Sequence, residues 1–177
     1  MESLEAKIHV RRGRSPLVAT FDVGESSLKI SDAVSRKLME YFAMRPQELK
    51  TMNRRLFEEF VAELWRGFGY DVELTAQTRD GGRDVIALKN DHINEKILIE
   101  CKRPGPEKVI GVRPVRELLG VKVSEGATKA VLATTVFFSP DATLLFEQMK
   151  WELEGRDYDG LQHWIQKYLE KRGVGKW

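Results

Sequence analysis

The sequence predicts an α/β domain with a mixed central β-sheet flanked on both faces by helices, preceded by a small N-terminal extension. Three observations carry that prediction. Asp84 to Leu88 (DVIAL) and Lys96 to Lys102 (KILIECK) are short runs rich in Ile, Val and Leu, and the polar stretch Lys89 to Glu95 between them makes a hairpin. From Asn53 to Phe68, residues Leu56, Phe57, Phe60, Val61, Leu64, Trp65 and Phe68 recur at helical spacing. After the hairpin, Val112 to Val123 reads as a crossover helix and Ala130 to Thr134 (AVLAT) as a fully buried strand. A strand, helix, strand order ending in a wholly apolar strand argues for parallel pairing at that point.

Composition sets the limits. A chain of 177 residues with 42% hydrophobic content suits one domain and a modest appendage, divided as 1–50 and 51–172. No apolar run approaches ~18 residues and no secretory apolar segment opens the chain, so a soluble, cytoplasmic protein with no membrane partner is expected. The single Cys101 excludes an internal disulfide and a cysteine-based zinc site, and His9, His92 and His163 have no ligand spacing. A net charge of +2 is no cationic coat, so a nucleic acid would have to be held by local patches. The chain offers one: Lys102 to Lys129 carries seven Lys or Arg against three Glu, among them Arg103, Lys108, Arg113 and Arg116. For each of these residues alone, a solvated helix face is the simpler reading.

Taken in order, Leu17 to Val23 and Leu28 to Ile30 are expected as short strands around a Gly24-Glu25-Ser26 turn. Ser31 then caps a helix to about Ala43, which Arg45-Pro46 breaks. No chemistry is assigned to this part; Arg11, Arg12 and Arg14 read as a solvated basic tail. Gly69 ends the helix that begins near Asn53, and Tyr70 to Leu74 is the first strand, at an edge. Gly81-Gly82 allow positive φ or close backbone approach just before Asp84. Pro104-Gly105-Pro106 forces a loop after Lys102. Ser139 caps a helix with Pro140 at its first position, and the last helix, Leu161 to Lys171, buries Leu161, Trp164, Ile165, Tyr168 and Leu169.

The chemistry concentrates at the end of the hairpin. With the turn centred near His92, residue 84 faces residue 100 or 101, which brings the carboxylates of Asp84 and Glu100 together. Side chains alternate, so Glu100 and Lys102 share one side while Ile99 and Cys101 take the other, Cys101 as a small buried hydrophobe. Neighbouring buried carboxylates repel, and a divalent cation resolves the conflict. Hard Mg²⁺ is usually held by one or two carboxylates and keeps waters for a phosphate substrate. Without metal the two acids are expected to strain the site, so that Asp84→Asn relieves it.

Asp84 followed by Glu100-Cys101-Lys102 resembles the D…(D/E)xK signature of the restriction-endonuclease-like nucleases. Its surroundings resemble the Mrr-like branch: Phe57-Glu58, Gly69-Tyr70-Asp71-Val72, Asp80-Gly81-Gly82-Arg83-Asp84, Ala133-Thr134-Thr135, Phe138-Ser139-Pro140-Asp141-Ala142 and Asp159-Gly160-Leu161, in the family's order over about residues 50 to 170. Glu100 stands where many members of that branch carry Gln, and Arg83 where a hydrophobic residue is more usual. The resemblance implies a restriction-endonuclease-like core and a Mg²⁺-dependent endodeoxyribonuclease acting on double-stranded DNA, with Mn²⁺ as a substitute metal and no small-molecule cofactor. Asp84, Glu100 and the Cys101 carbonyl would hold the metal, and Lys102 would activate water or stabilise the transition state. Glu58 would assist the metal shell, with Glu59 as its solvent-facing neighbour. Gln77, Arg79, Arg83, Arg103, Lys108 and Arg113 are the candidate DNA contacts. A homodimer, a junction resolvase of the same fold and a non-catalytic DNA-binding module stay open.

Overall fold

A computed structural model describes residues 26–75 and 82–173, with side chains of the first helix from residue 35 onward. The sheet grows outward from the hairpin. Its five strands run in the order β1 (Asp71–Leu74), β2 (Val85–Asn90), β3 (Asn94–Lys102), β5 (Lys129–Thr134) and β7 (Leu153–Arg156). β1 with β2 and β2 with β3 are antiparallel, whereas β3 with β5 and β5 with β7 are parallel. The expected mixed sheet is therefore present, with β1 at an edge. A second, two-stranded sheet joins β4 (Val109–Ile110) to β6 (Phe137–Phe138).

Strand alternation sends β3 into two cores. Ile97, Ile99 and Cys101 pack with Val131, Ala133 and the apolar stripe of α2 (Arg54–Gly67), under α1 (Ser26–Met44) and α5 (Tyr158–Lys171). Leu98, on the opposite face, packs with Ala130, Leu132, Val115 and Leu118, under α3 (Val112–Ser124) and α4 (Pro140–Gln148). Each fully buried Leu or Ile here contributes about 1.5–3 kcal/mol relative to exposure. Caps fix the helix starts: Asn53 accepts from Leu56 N, Ser139 from Ala142 N and Asp157 from Gly160 N. The Asp157 cap starts α5 at Tyr158, ahead of the expected Leu161.

Among the described residues, 26–50 differ most from expectation. Leu28 to Ile30 lies inside α1 and is no strand, because three residues have no periodicity of their own to resist the helix that continues through them. Leu17 to Val23, the Gly24-Glu25 part of the expected turn and the Arg11, Arg12 and Arg14 tail lie outside the described residues. Met39, Phe42 and Leu49 belong to the same core as Phe57 and Phe60, so the described part of the extension packs into the domain. A short 3-10 helix, Pro46–Lys50, follows the break at Arg45. No helix among the described residues is long and apolar enough to cross a membrane.

One glycine fixes how closely two helices approach. A Cβ on Gly67 would lie 2.0 Å from Cε2 of Tyr168, which is fully buried on α5. Gly67→Ala should therefore destabilise the protein by about 1–3 kcal/mol, the range for overpacking a core, seen as a lower urea midpoint. An unchanged midpoint would contradict this spacing of α2 and α5.

Candidate active site

The backbone around Asp84 is pinned from both sides. Its N–H donates to the Ile99 carbonyl at 2.9 Å, one residue out of step with the Val85–Ile99 pairing, so the regular β2–β3 ladder ends at Val85. Its own carbonyl accepts from Thr75 N at 3.0 Å, while Thr75 Oγ1 donates to the Arg83 carbonyl at 2.9 Å. Asp84 lies just beyond the last β2–β3 pair, Val85 with Ile99, and its side chain reaches the Cys101 backbone, near enough to Glu100 for its charge to act on that carboxyl. Gly82, at φ +82°, makes the positive-φ approach to this strand.

Asp84, Glu58 and Glu100 are all buried. Asp84 Oδ2 accepts from the Cys101 backbone N at 2.7 Å, and Oδ1 accepts from Arg54 Nη2 at 3.2 Å. Arg54 also donates through Nε to Glu58 Oε1 at 3.0 Å, and Arg55 Nη1 meets Glu58 Oε2 at 3.1 Å. Both oxygens of Glu58 are thus taken by arginines. Glu59 is half-exposed and pairs with Arg55 at 3.4 Å, so Glu58 is the acid of the pair that faces the site. Lys102 Nζ sits 2.5 Å from Glu100 Oε1, on the opposite side of β3 from Cys101.

The charges are unevenly balanced. Burial pushes the Glu100 carboxyl above its usual range; Lys102 pulls it down, and the charges of Asp84 and Glu117 push it further up. Burial also holds the Cys101 thiol well above its usual value, with the surrounding carboxylates adding to the effect, so Cys101 stays a neutral core side chain. The expected strain at Asp84 is relieved already, because Arg54 and the Cys101 N–H satisfy it. The strain sits on Glu100.

No group of three His, Cys, Asp or Glu side chains able to hold a metal occurs among the described residues. Asp84 and Glu100 nevertheless offer hard oxygens at the same sheet end, and the charge of Asp84 helps to raise Glu100's proton affinity, a repulsion that a cation would relieve. This donor set fits Mg²⁺, for which one or two carboxylates suffice.

The remaining expected contacts are scattered. Arg83 pairs with Glu125 at the C-terminal end of α3. Arg103 Nη1 donates to the Lys50 carbonyl at 3.2 Å, tying the loop after β3 to the Pro46–Lys50 helix. Lys108 and Arg113 are exposed, the latter paired with Glu117 at 2.8 Å. Gln77 and Arg79 lie outside the described residues. Sequence reasoning missed Arg54 and Arg55. Their spacing of four and three residues from Glu58 signals helical ion pairs, but nothing local announces the contact to Asp84, thirty residues on.

Residues 49–165 match the family model Mrr_cat, described as a restriction endonuclease. An uncharacterised protein of Sinorhizobium fredii (strain NBRC 101917 / NGR234), y4cE, is 28% identical over 151 residues, or 81% of this chain, which spans 37% of that relative's length. Among solved structures, the DNA modification-dependent restriction endonuclease AspBHI is similar at 24% identity and a TM-score of 0.53, over 79% of this chain and 36% of its own. AF1548, a protein of unknown function, is similar at 21% identity and a TM-score of 0.50, over 68% of this chain and 67% of its own. At these identities the two structures share the fold.

Because the folded-state proton affinity of Glu100 is raised, the native protein holds more protons than the unfolded chain above the usual glutamate range, and stability falls as pH rises through that window. In chelator, Glu100→Gln should flatten that fall and be more stable than wild type by about 1 kcal/mol at neutral pH, whereas Asp84→Asn should be less stable. Urea unfolding of the three proteins between about pH 5 and 8, the span in which stability is usually greatest, checks both signs.

Proposed function

The chain belongs to the restriction endonuclease family whose model matches residues 49–165, and from that premise we propose that it is a divalent-metal-dependent endonuclease of Mrr type, cutting phosphodiester bonds in double-stranded DNA. One observation carries the reading: two buried acids, Asp84 and Glu100, meet at one sheet end with Lys102 Nζ against Glu100. A fold needs no such cluster, and an isolated buried charge pair is weak evidence for stability.

In this reading Asp84, Glu100 and the Cys101 carbonyl hold Mg²⁺, or Mn²⁺ in its stead. The bound ion would polarise the phosphoryl oxygen and lower the pKa of a coordinated water. The chain's own residues do the rest. The Cys101 N–H holds Asp84 Oδ2 at 2.7 Å and so fixes the plane of that carboxylate. Lys102, half-exposed, has the reach to turn from Glu100 toward an attacking water or the charge developing on phosphorus. Glu58 anchors Arg54 beside Asp84 rather than presenting a vacant oxygen of its own. Lys108 and Arg113, exposed after the catalytic strand, supply phosphate contacts together with Arg103.

Incubating methylated and unmethylated plasmid with the protein, with and without Mg²⁺, tests the reaction. Cleavage that stops in chelator supports it, and no cleavage of plasmid or branched DNA by any metal-loaded sample refutes it. Lys102→Ala should leave DNA binding within a few-fold and cut at less than about a tenth of the wild-type rate, a barrier increase above ~1.4 kcal/mol. Faster cutting by this variant would remove Lys102 from the chemistry. Neutralising Arg103, Lys108 and Arg113 together should weaken DNA binding and reduce its salt slope by roughly one unit for each phosphate no longer neutralised, read by fluorescence anisotropy at several salt concentrations. An unchanged slope would make these three residues solvated surface.

A further inference from the structure

Each oxygen of Asp84 has a hydrogen-bond donor beside it. Oδ2 is held by the Cys101 backbone N–H at 2.7 Å, a bond within the strand scaffold that cannot move without breaking the sheet end. Oδ1 is the oxygen not tied to the strand backbone, and the Arg54 guanidinium lies 3.2 Å from it. The same guanidinium reaches Glu58 Oε1 at 3.0 Å, so one positive group spans two buried acids. Unlike the carboxylates it bridges, the Arg54 side chain is 62% exposed. It stands on the first turn of α2, with more than half of its side chain open to solvent.

We propose that Arg54 is a displaceable counter-ion that occupies the cation position at Asp84 in the metal-free protein, so that metal binding requires its guanidinium to leave Oδ1. This rests on the metal-dependent reading of the site. A cation bound at Oδ1 would lie close to the guanidinium there, and like charges at that distance repel strongly in a partly dry pocket. Arg54 thus keeps Asp84 paired when no metal is present and sets a threshold for metal. Once released, it stays tethered by Glu58 and its charge points to the solvent side from which a phosphate would approach.

Arg55 provides the control for charge alone. It carries the same charge one residue away, and its ion pairs run to Glu58 at 3.1 Å and Glu59 at 3.4 Å. The test is Mn²⁺ binding without DNA, read from loss of the free-ion electron paramagnetic resonance signal, for wild type, Arg54→Met, Arg55→Met and Asp84→Asn. Arg54→Met should bind Mn²⁺ about tenfold more tightly than wild type, inside the usual range for coupled sites. Arg55→Met should change affinity far less, and Asp84→Asn should lose the site. In chelator Arg54→Met should melt below wild type, and Mn²⁺ should raise its melting temperature by more. Equal tightening by Arg54→Met and Arg55→Met would reduce the effect to general charge and overturn direct competition, as would unchanged affinity in Arg54→Met. If Arg54→Met does not fold, Arg54→Lys, which keeps the charge but loses the two-point fork, should show the same direction of change in affinity, and no change there overturns the proposal. No binding by wild type, Arg54→Met and Arg55→Met alike would remove the metal reading and this inference with it, whereas binding by wild type that Asp84→Asn abolishes and Arg54→Met leaves unaltered would remove this inference only.

Discussion

The site depends on the register in which β2 meets β3. Val85 opposite Ile99 ends the regular ladder, and the bonds from Asp84 to the Ile99 carbonyl and the Cys101 N–H then set that acid beside the Glu100 end of β3. A slip of one residue would turn Glu100 into the core now filled by Ile99 and Cys101 and bring an apolar side chain to the acid end. Burial on both faces of β3 forbids that slip. The same hydrophobic pattern that folds the sheet therefore sets the spacing of the chemistry.

Charge balance is the second constraint. Three buried acids meet where α2 passes the sheet end, and removing one partner from a buried ion pair typically destabilises by about 3–5 kcal/mol. Arg54 and Arg55 neutralise Glu58 and Asp84 from α2, and Lys102 answers Glu100 from the strand itself. The compensation is incomplete at Glu100, whose carboxyl holds its proton above the usual range. Under the proposed reading, that residual imbalance is what a bound cation would relieve.

Much of this was legible in the sequence because it is local. The hairpin followed from two apolar runs and the length between them, α2 from its apolar stripe and the Gly69 stop, and the parallel turn of the sheet from the apolar AVLAT strand. What escaped was short or long-range. β4 and β6 are two residues each, and β7 reads LEGR, with one apolar side chain, so tertiary pairing creates these strands. Leu28 to Ile30 imitates a strand only when cut out of the helix around it. Within the site, Asp84, Glu100 and Lys102 were visible as a motif, but the arginine clamp was not, since Arg54 meets Asp84 only after the sheet and α2 have packed.

Whether Asp84 and Glu100 form one cation site is tested most directly by anomalous diffraction from crystals soaked in Mn²⁺. A shared site predicts a peak between the two carboxylates, with an oxygen of each about 2.1 Å away as expected for a small hard cation, and the Arg54 guanidinium moved off Asp84 Oδ1. A peak elsewhere, or none with Arg54 still seated on Asp84 at saturating Mn²⁺, would contradict it.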